Sequence, residues 1–176
     1  MDSYLVIDGY NILNCWPKLA EMMRDSLEDA RDRLVYLLNN YAGFKNYKII
    51  LVFDGHNVKS NLGERSFHHN VEVIFSPEGV SADRVIEKEV GRLLKNGQVF
   101  VATSDKLQQE IIWTKGAYRI SARELVKDIE QAQAEYREMI NPRRSVRRNY
   151  LEANLNQDVR EALERIRRNQ SGGAGK

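Results

Sequence analysis

The sequence has a single cysteine, Cys15, in 176 residues. No intrachain disulfide can form, no disulfide-linked partner is expected, and a reduced intracellular setting is the simplest reading. Cys15 itself reads as a small hydrophobe rather than a nucleophile. No apolar run approaches the roughly 18 residues of a membrane span, so no membrane association is expected. The opening MDSYLVIDGYN lacks a basic segment and a long apolar stretch; it is not expected to be a signal peptide, and the protein is expected in the cytoplasm. Neither sign of charge dominates, since 27 Lys and Arg stand against 25 Asp and Glu, a net charge of +2. Basic residues that bind phosphate must therefore be clustered. Glycine-rich phosphate loops are also missing: no GxGxxG follows the first apolar run, and no Gly-Lys-Ser/Thr occurs.

What is present suits one domain with a real core: 42% of residues are hydrophobic and 30% charged. Tyr4 to Ile7 reads as a buried strand that runs into Asp8-Gly9. Ser26 to Tyr41 keeps helical apolar spacing, with Ser26 as N-cap, Asp29 as a capping-box acid and Gly43 as a stop. KIILVF (48–53) is a second strand, ending in Asp54-Gly55. His56 to Asn70 is polar and aperiodic and reads as a long loop. Val71 to Phe75 is a third strand, and Ser81 to Lys95 a helix ended by Gly97. Gln98 to Ala102 is a fourth strand, running into Thr103-Ser104-Asp105. A helix over 106–115, a short strand over 118–120 and a helix from Ala122 to Met139 follow. Apolar strands separated by helices predict an α/β fold: a three-layer α/β/α arrangement with a mainly parallel central sheet, plus a C-terminal helical extension. Residues 1–140 form the expected globular domain, 141–170 a basic helical extension, and 171–176 a flexible tail.

The acids stand where such a sheet binds ligands, at the carboxyl ends of the strands. Asp8 ends the first strand, Asp54 the second and Asp105 the fourth; Asp83 lies in the first turn of the following helix. Right-handed crossovers bring these ends to one edge. Clustered carboxylates repel and raise each other's pKa unless a cation offsets them. Mg²⁺ or Mn²⁺ takes oxygen ligands, and either one can activate water against a phosphodiester. Each acid also has a plainer reading. Asp54-Gly55 is ordinary turn chemistry, and Asp83 can simply complement a helix dipole. Asn11 can orient a metal-bound water or a phosphate, or hold an Asx-turn. Ser104 can bond the Asp105 carboxylate or a phosphate, or cap a helix.

The stretch Tyr4-Leu5-Val6-Ile7-Asp8-Gly9-Tyr10-Asn11 resembles the first strand and loop of NYN-domain proteins, within the PIN-like nuclease group. Val52-Phe53-Asp54-Gly55, Ser81-Ala82-Asp83 and Val101-Ala102-Thr103-Ser104-Asp105 follow in that group's order. The resemblance spans roughly residues 3–140 and is nearest to the bacterial YacP-like branch, whose best-understood members are ribosome-associated endoribonucleases that cut mRNA during translation. It implies Mg²⁺-dependent RNA cleavage. It implies metal ligation by Asp8, Asp83 and Asp105, catalytic help from Asn11 and support from Ser104. It leaves open whether Asp54 is a ligand or a turn acid.

Two basic segments are candidates for RNA contact. The 56–70 loop carries His56, Lys59, Arg65, His68 and His69. Residues Arg143, Arg144, Arg147 and Arg148 place four arginines within six positions, near Tyr136 and Tyr150. Adjacent His68 and His69 do not have zinc-site spacing. Trp16 and Trp113 are expected to pack on the core. Two other functions compete with the endoribonuclease: a catalytically silent RNA- or ribosome-binding module, and a DNA-directed PIN-like nuclease. A haloacid-dehalogenase-type phosphatase is disfavoured, because the residue two after Asp8 is Tyr10 rather than a second acid.

Overall fold

In a strand covered on both faces, successive side chains must all be apolar, and they divide between two cores. In the computed structural model, which describes residues 2–55, 63–103 and 116–140, the buried stretches of the two central strands obey this rule. Strand β1 (Asp2–Asp8) sends Leu5 and Ile7 to one core and Tyr4 and Val6 to the other. Strand β2 (Tyr47–Phe53) splits the same way, with Ile49, Leu51 and Phe53 opposite Ile50 and Val52.

The elements then run as follows. After β1 come helices α1 (Gly9–Cys15), α2 (Pro17–Asp25) and α3 (Leu27–Lys45), then β2. Strands β3 (Arg65–His68) and β4 (Val71–Phe75) form a hairpin, followed by helix α4 (Ala82–Leu93), strands β5 (Gly97–Ala102) and β6 (Tyr118–Ile120), and helix α5 (Ala122–Ile140). The six strands make one sheet in the order β3-β4-β2-β1-β5-β6. All pairings are parallel except β3 with β4. The expected mainly parallel α/β architecture is what the chain adopts.

Residues of α1, α2, α3 and α5 share the first core, whereas α4 supplies the second. The β1-to-β2 and β4-to-β5 crossovers therefore use opposite faces and travel in opposite directions, which gives them the same hand. The pair β1 and β5 lies where the strand order reverses. In open α/β sheets, ligands bind at the carboxyl ends of such a pair.

Local caps agree with the sequence. Asp29 N–H donates to Ser26 Oγ (3.1 Å) at the start of α3. Ser121 and Glu124 make a reciprocal capping box at the start of α5: Glu124 N–H donates to Ser121 Oγ (3.2 Å), and Ser121 N–H donates to the Glu124 carboxylate (2.9 Å).

Several expectations need correction. Gly43 does not stop α3, which continues to Lys45 and ends at Asn46 in the left-handed region (φ 58°). Gly97 does not merely end a helix; it opens β5. The stretch read as a loop contains β3, whose four residues are all exposed and so leave no hydrophobic period to detect. It turns back through His69 (φ 52°) and Asn70. Residues 9–25, which carried no assignment, form α1 and α2. The helix expected over 106–115 and the extension over 141–170 lie outside the described residues.

The chain divides into two compact units, Met1–Ala134 and Glu135–Lys176. The first holds the whole sheet. Of the second, the described part is the end of α5, where Tyr136, Met139 and Ile140 are exposed. Among the described residues, no helix is long and apolar enough to cross a membrane.

Candidate active site

Asp8 is the last residue of the central strand and also the N-cap of α1. The Asn11 backbone N–H donates to Asp8 Oδ1 at 3.2 Å. This is ordinary capping, but the surroundings are not those of an ordinary cap. Burial pushes the Asp8 carboxyl above the usual carboxylate range. The Asn11 and Tyr10 N–H groups pull it back, and the charges of Asp83 and Asp54 raise it again. Three acids from β1, the end of β2 and the start of α4 thus act on one another.

The register explains why they meet. Asp8 is the parallel partner of Val52, so Asp54 lies two residues further along the neighbouring strand. On the other side Ile7 pairs with Ala102, which places buried Thr103 at the level of Asp8. Asp83 stands on the exposed first turn of α4, whose N-cap is Ser81. Asn11 is half-buried on α1 and uses its backbone N–H on Asp8.

One polar residue at this edge escaped the sequence reading. Ser76 follows β4, is fully buried, and accepts a hydrogen bond from Gly55 N–H at 2.9 Å; its own N–H donates to the Phe53 carbonyl at 2.9 Å. It ties the Asp54-Gly55 turn to the next strand end. Its only signal in the sequence was its place after an apolar run.

Gly9 is required for packing. A Cβ there would lie 2.3 Å from Cε1 of Phe53. The missing side chain gives room to an aromatic ring. That ring meets Tyr10 edge-on (centroids 5.2 Å apart, planes at 63°) and stacks on Phe75 (5.5 Å, 23°). The first turn of α1 is thereby packed against the residue before Asp54.

Other candidates fall elsewhere. Arg65 lies on β3, where Nη1 bonds Glu72 Oε1 (2.7 Å) and Nη2 bonds Glu89. Both terminal nitrogens of its guanidinium thus bond acids. His68 is exposed on the same strand, with Nε2 3.2 Å from Ser66 Oγ. Trp16 is buried in the core and donates to Glu130 (3.0 Å). Cys15 packs half-buried against the same core. Lys59, Ser104, Asp105, Trp113, Arg143, Arg144, Arg147 and Arg148 lie outside the described residues.

Among the described residues, no three His, Cys, Asp or Glu side chains stand close enough together to hold a metal ion. The donor chemistry nonetheless fits a hard cation. Among the described residues the edge presents carboxylates, and a divalent ion there would relieve the repulsion at Asp8.

Fold and edge together define a doubly wound α/β domain with an acidic switch point at the end of its central strand. The chain belongs to the YacP-like NYN domain family, whose model matches residues 5–168. That family is of nuclease type. The chain is 42% identical to YacP of Bacillus subtilis strain 168 over 128 residues, 72% of this chain and 74% of that protein. Its fold is similar to the crystal structure of Rae1 (YacP) from Bacillus subtilis, with a TM-score of 0.69 and 35% identity over the full length of both chains. It is also similar to a crystal structure of a point mutant of Rae1, with a TM-score of 0.64 and 38% identity over 75% of this chain and 77% of the other.

Proposed function

We propose that this protein is a metal-dependent endoribonuclease that cleaves RNA phosphodiester bonds, with mRNA on the translating ribosome as its substrate. The observation that carries the proposal is the Asp8 carboxyl. It sits half-buried at the end of the central strand, where burial raises its pKa and the charges of Asp83 and Asp54 raise it further. Membership in a nuclease-type family supports phosphodiester chemistry; RNA and the ribosome enter through resemblance to the YacP-like branch.

In this reading Asp8, Asp83 and Asp105 hold Mg²⁺ or Mn²⁺, which when bound supplies Lewis-acid activation of water and charge stabilisation at phosphorus. The chain's own groups do the positioning. The α1 cap holds the Asp8 carboxylate in one orientation through Asn11 N–H. In this reading the side chain of half-buried Asn11 orients a water or a phosphate oxygen. Ser76 fixes the turn that carries Asp54, which supports the site from beside the ligands. Ser104 supports Asp105 in the same way. Lys59 and His68, with Arg143, Arg144, Arg147 and Arg148, bind the RNA backbone.

The test compares wild type with Asp8→Asn and Asp83→Asn on structured RNA and on translating ribosomes with Mg²⁺ or Mn²⁺. Cleavage by wild type, with a loss of at least a hundredfold in each variant (the scale of removing a main electrostatic group), is the expected result. Equal cleavage by all three proteins would falsify the assignment.

A further inference from the structure

Arg31 projects from the second turn of α3 into a cage of three rings. Its guanidinium carbon lies 5.4 Å from the centroid of Tyr10, 5.4 Å from Phe53 and 5.2 Å from Phe75. Tyr10 follows Asp8 by two residues, and Phe53 directly precedes Asp54, so the cage stands beside the acidic edge. One Nη donates to the Tyr10 hydroxyl. Among the described residues its Nε is buried and has no hydrogen-bond partner. Among the described residues Arg31 makes no ion pair, whereas Lys45, Lys48, Arg65 and Arg92 each bond a carboxylate.

This arrangement is costly for a cation. The rings attract it and fix its plane, but they supply no counter-charge. A guanidinium carries five donors, and this one uses a single donor on a neutral hydroxyl. A methionine or leucine would fill an aromatic cage without desolvating a charge. The ring contacts and the one hydrogen bond leave the charge without a counter-ion among the described residues. A fixed, planar, half-desolvated guanidinium suits an anion with paired oxygens, which is the geometry of a phosphodiester.

We infer that Arg31 is a nucleic-acid contact, a ring-held guanidinium that binds a backbone phosphate next to the one cleaved at the acidic edge. This rests on the nuclease reading of that edge. Tyr10 orients the guanidinium, and Phe53 and Phe75 keep it from folding back to a surface acid.

The test measures binding apart from cleavage. A fluorescein-labelled single-stranded RNA is titrated with wild type, Arg31→Met and Arg31→Lys in EDTA over a salt series. Arg31→Met is expected to bind about tenfold to a hundredfold more weakly, the loss of one charge-assisted contact. The slope of log affinity against log salt should fall by about 0.7, the change for one phosphate on a single strand. Arg31→Lys should keep the slope while losing part of the affinity. A single-stranded DNA of the same sequence should show the same slope change, since the contact is to phosphate. Thermal stability of Arg31→Met should equal or exceed that of wild type.

An unchanged slope in Arg31→Met overturns the inference, as does weaker binding accompanied by a large drop in melting temperature. Failure of wild type to bind either oligonucleotide at low salt overturns it too. Cleavage is assayed separately with Mn²⁺. Wild type that binds RNA with the Arg31-dependent slope but never cleaves it counts against the nuclease reading and leaves the phosphate contact standing.

Discussion

Two roles meet in the single carboxylate of Asp8, and they can be separated by substitution. As an N-cap it is replaceable by Asn, which caps a helix about as well, whereas Ala would cost about 1 kcal/mol. As an acid it is held above its ordinary pKa of 3.8. The folded state is thus penalised by ionised Asp8 above the raised pKa, and the penalty disappears as pH falls below 3.8. In EDTA at pH 7, Asp8→Asn should melt at or above the wild-type temperature. The gap should close in acid, where wild type carries the proton. Added Mn²⁺ should raise the melting point of wild type but not that of the variant. A variant that melts well below wild type in EDTA would show that the carboxylate is there for stability. Gly9 is a second residue where one atom decides. Gly9→Ala puts a methyl into the Phe53 ring and should cost roughly 1–3 kcal/mol in chemical denaturation, the range for overpacking. Cleavage should fall as well, since the same ring packs the first turn of α1 against the β2 end.

At the scale of elements, α3 shows how a helix passes a residue that usually ends one. Gly43 lies inside the helix, and a Cβ there would meet nothing within 4 Å. The stop is Asn46, which takes the left-handed conformation, and its N–H donates to the Ala42 carbonyl. The physical reason lies in the partners of the last turns: Tyr41 and Ala42 are buried in the core, and Phe44 packs against it. Gly43→Ala should therefore stabilise the protein by up to about 1 kcal/mol, the helix-propensity difference, measured by urea denaturation. A destabilised variant would place Gly43 at a true helix end. Element β3 makes a related point. It is a strand by pairing with β4, although its own side chains are all exposed.

For the molecule as a whole, the hairpin edge is tied to the helical layer by charge. Glu89 of α4 is 2% exposed and bonds both Arg92, at 2.7 Å, and Arg65 of β3. Burial pushes its carboxyl up, but hydrogen bonds and charge from the two arginines outweigh this and hold it below the ordinary value of 4.5. A lowered folded pKa contributes stability above 4.5, and that stability is lost as pH falls through the folded value. Glu89→Gln should cost roughly 1–3 kcal/mol at pH 7, the range for charged hydrogen bonds. The difference from wild type should shrink below pH 4.5. A pH-independent difference would assign the effect to packing instead.

The sequence by itself determined the local grammar. The apolar runs within 4–7, 49–53 and 73–75 are strands because both faces are covered, and Ser26, Ser81 and Ser121 cap helices because a short side-chain oxygen reaches an N–H three residues on. It also showed Asp8, Asp54 and Asp83 at element ends, since those positions follow from the same runs. Tertiary structure alone decided which ends are neighbours. The order β4-β2-β1-β5 puts Asp8 on the central strand, and its pKa records Asp83 and Asp54, residues 75 and 46 positions away. The cage around Arg31 was equally illegible, because Tyr10, Phe53 and Phe75 come from three elements and converge only through sheet register. Periodicity and capping act within a few residues, whereas a site is built from strand order, and strand order is set by how the whole core packs.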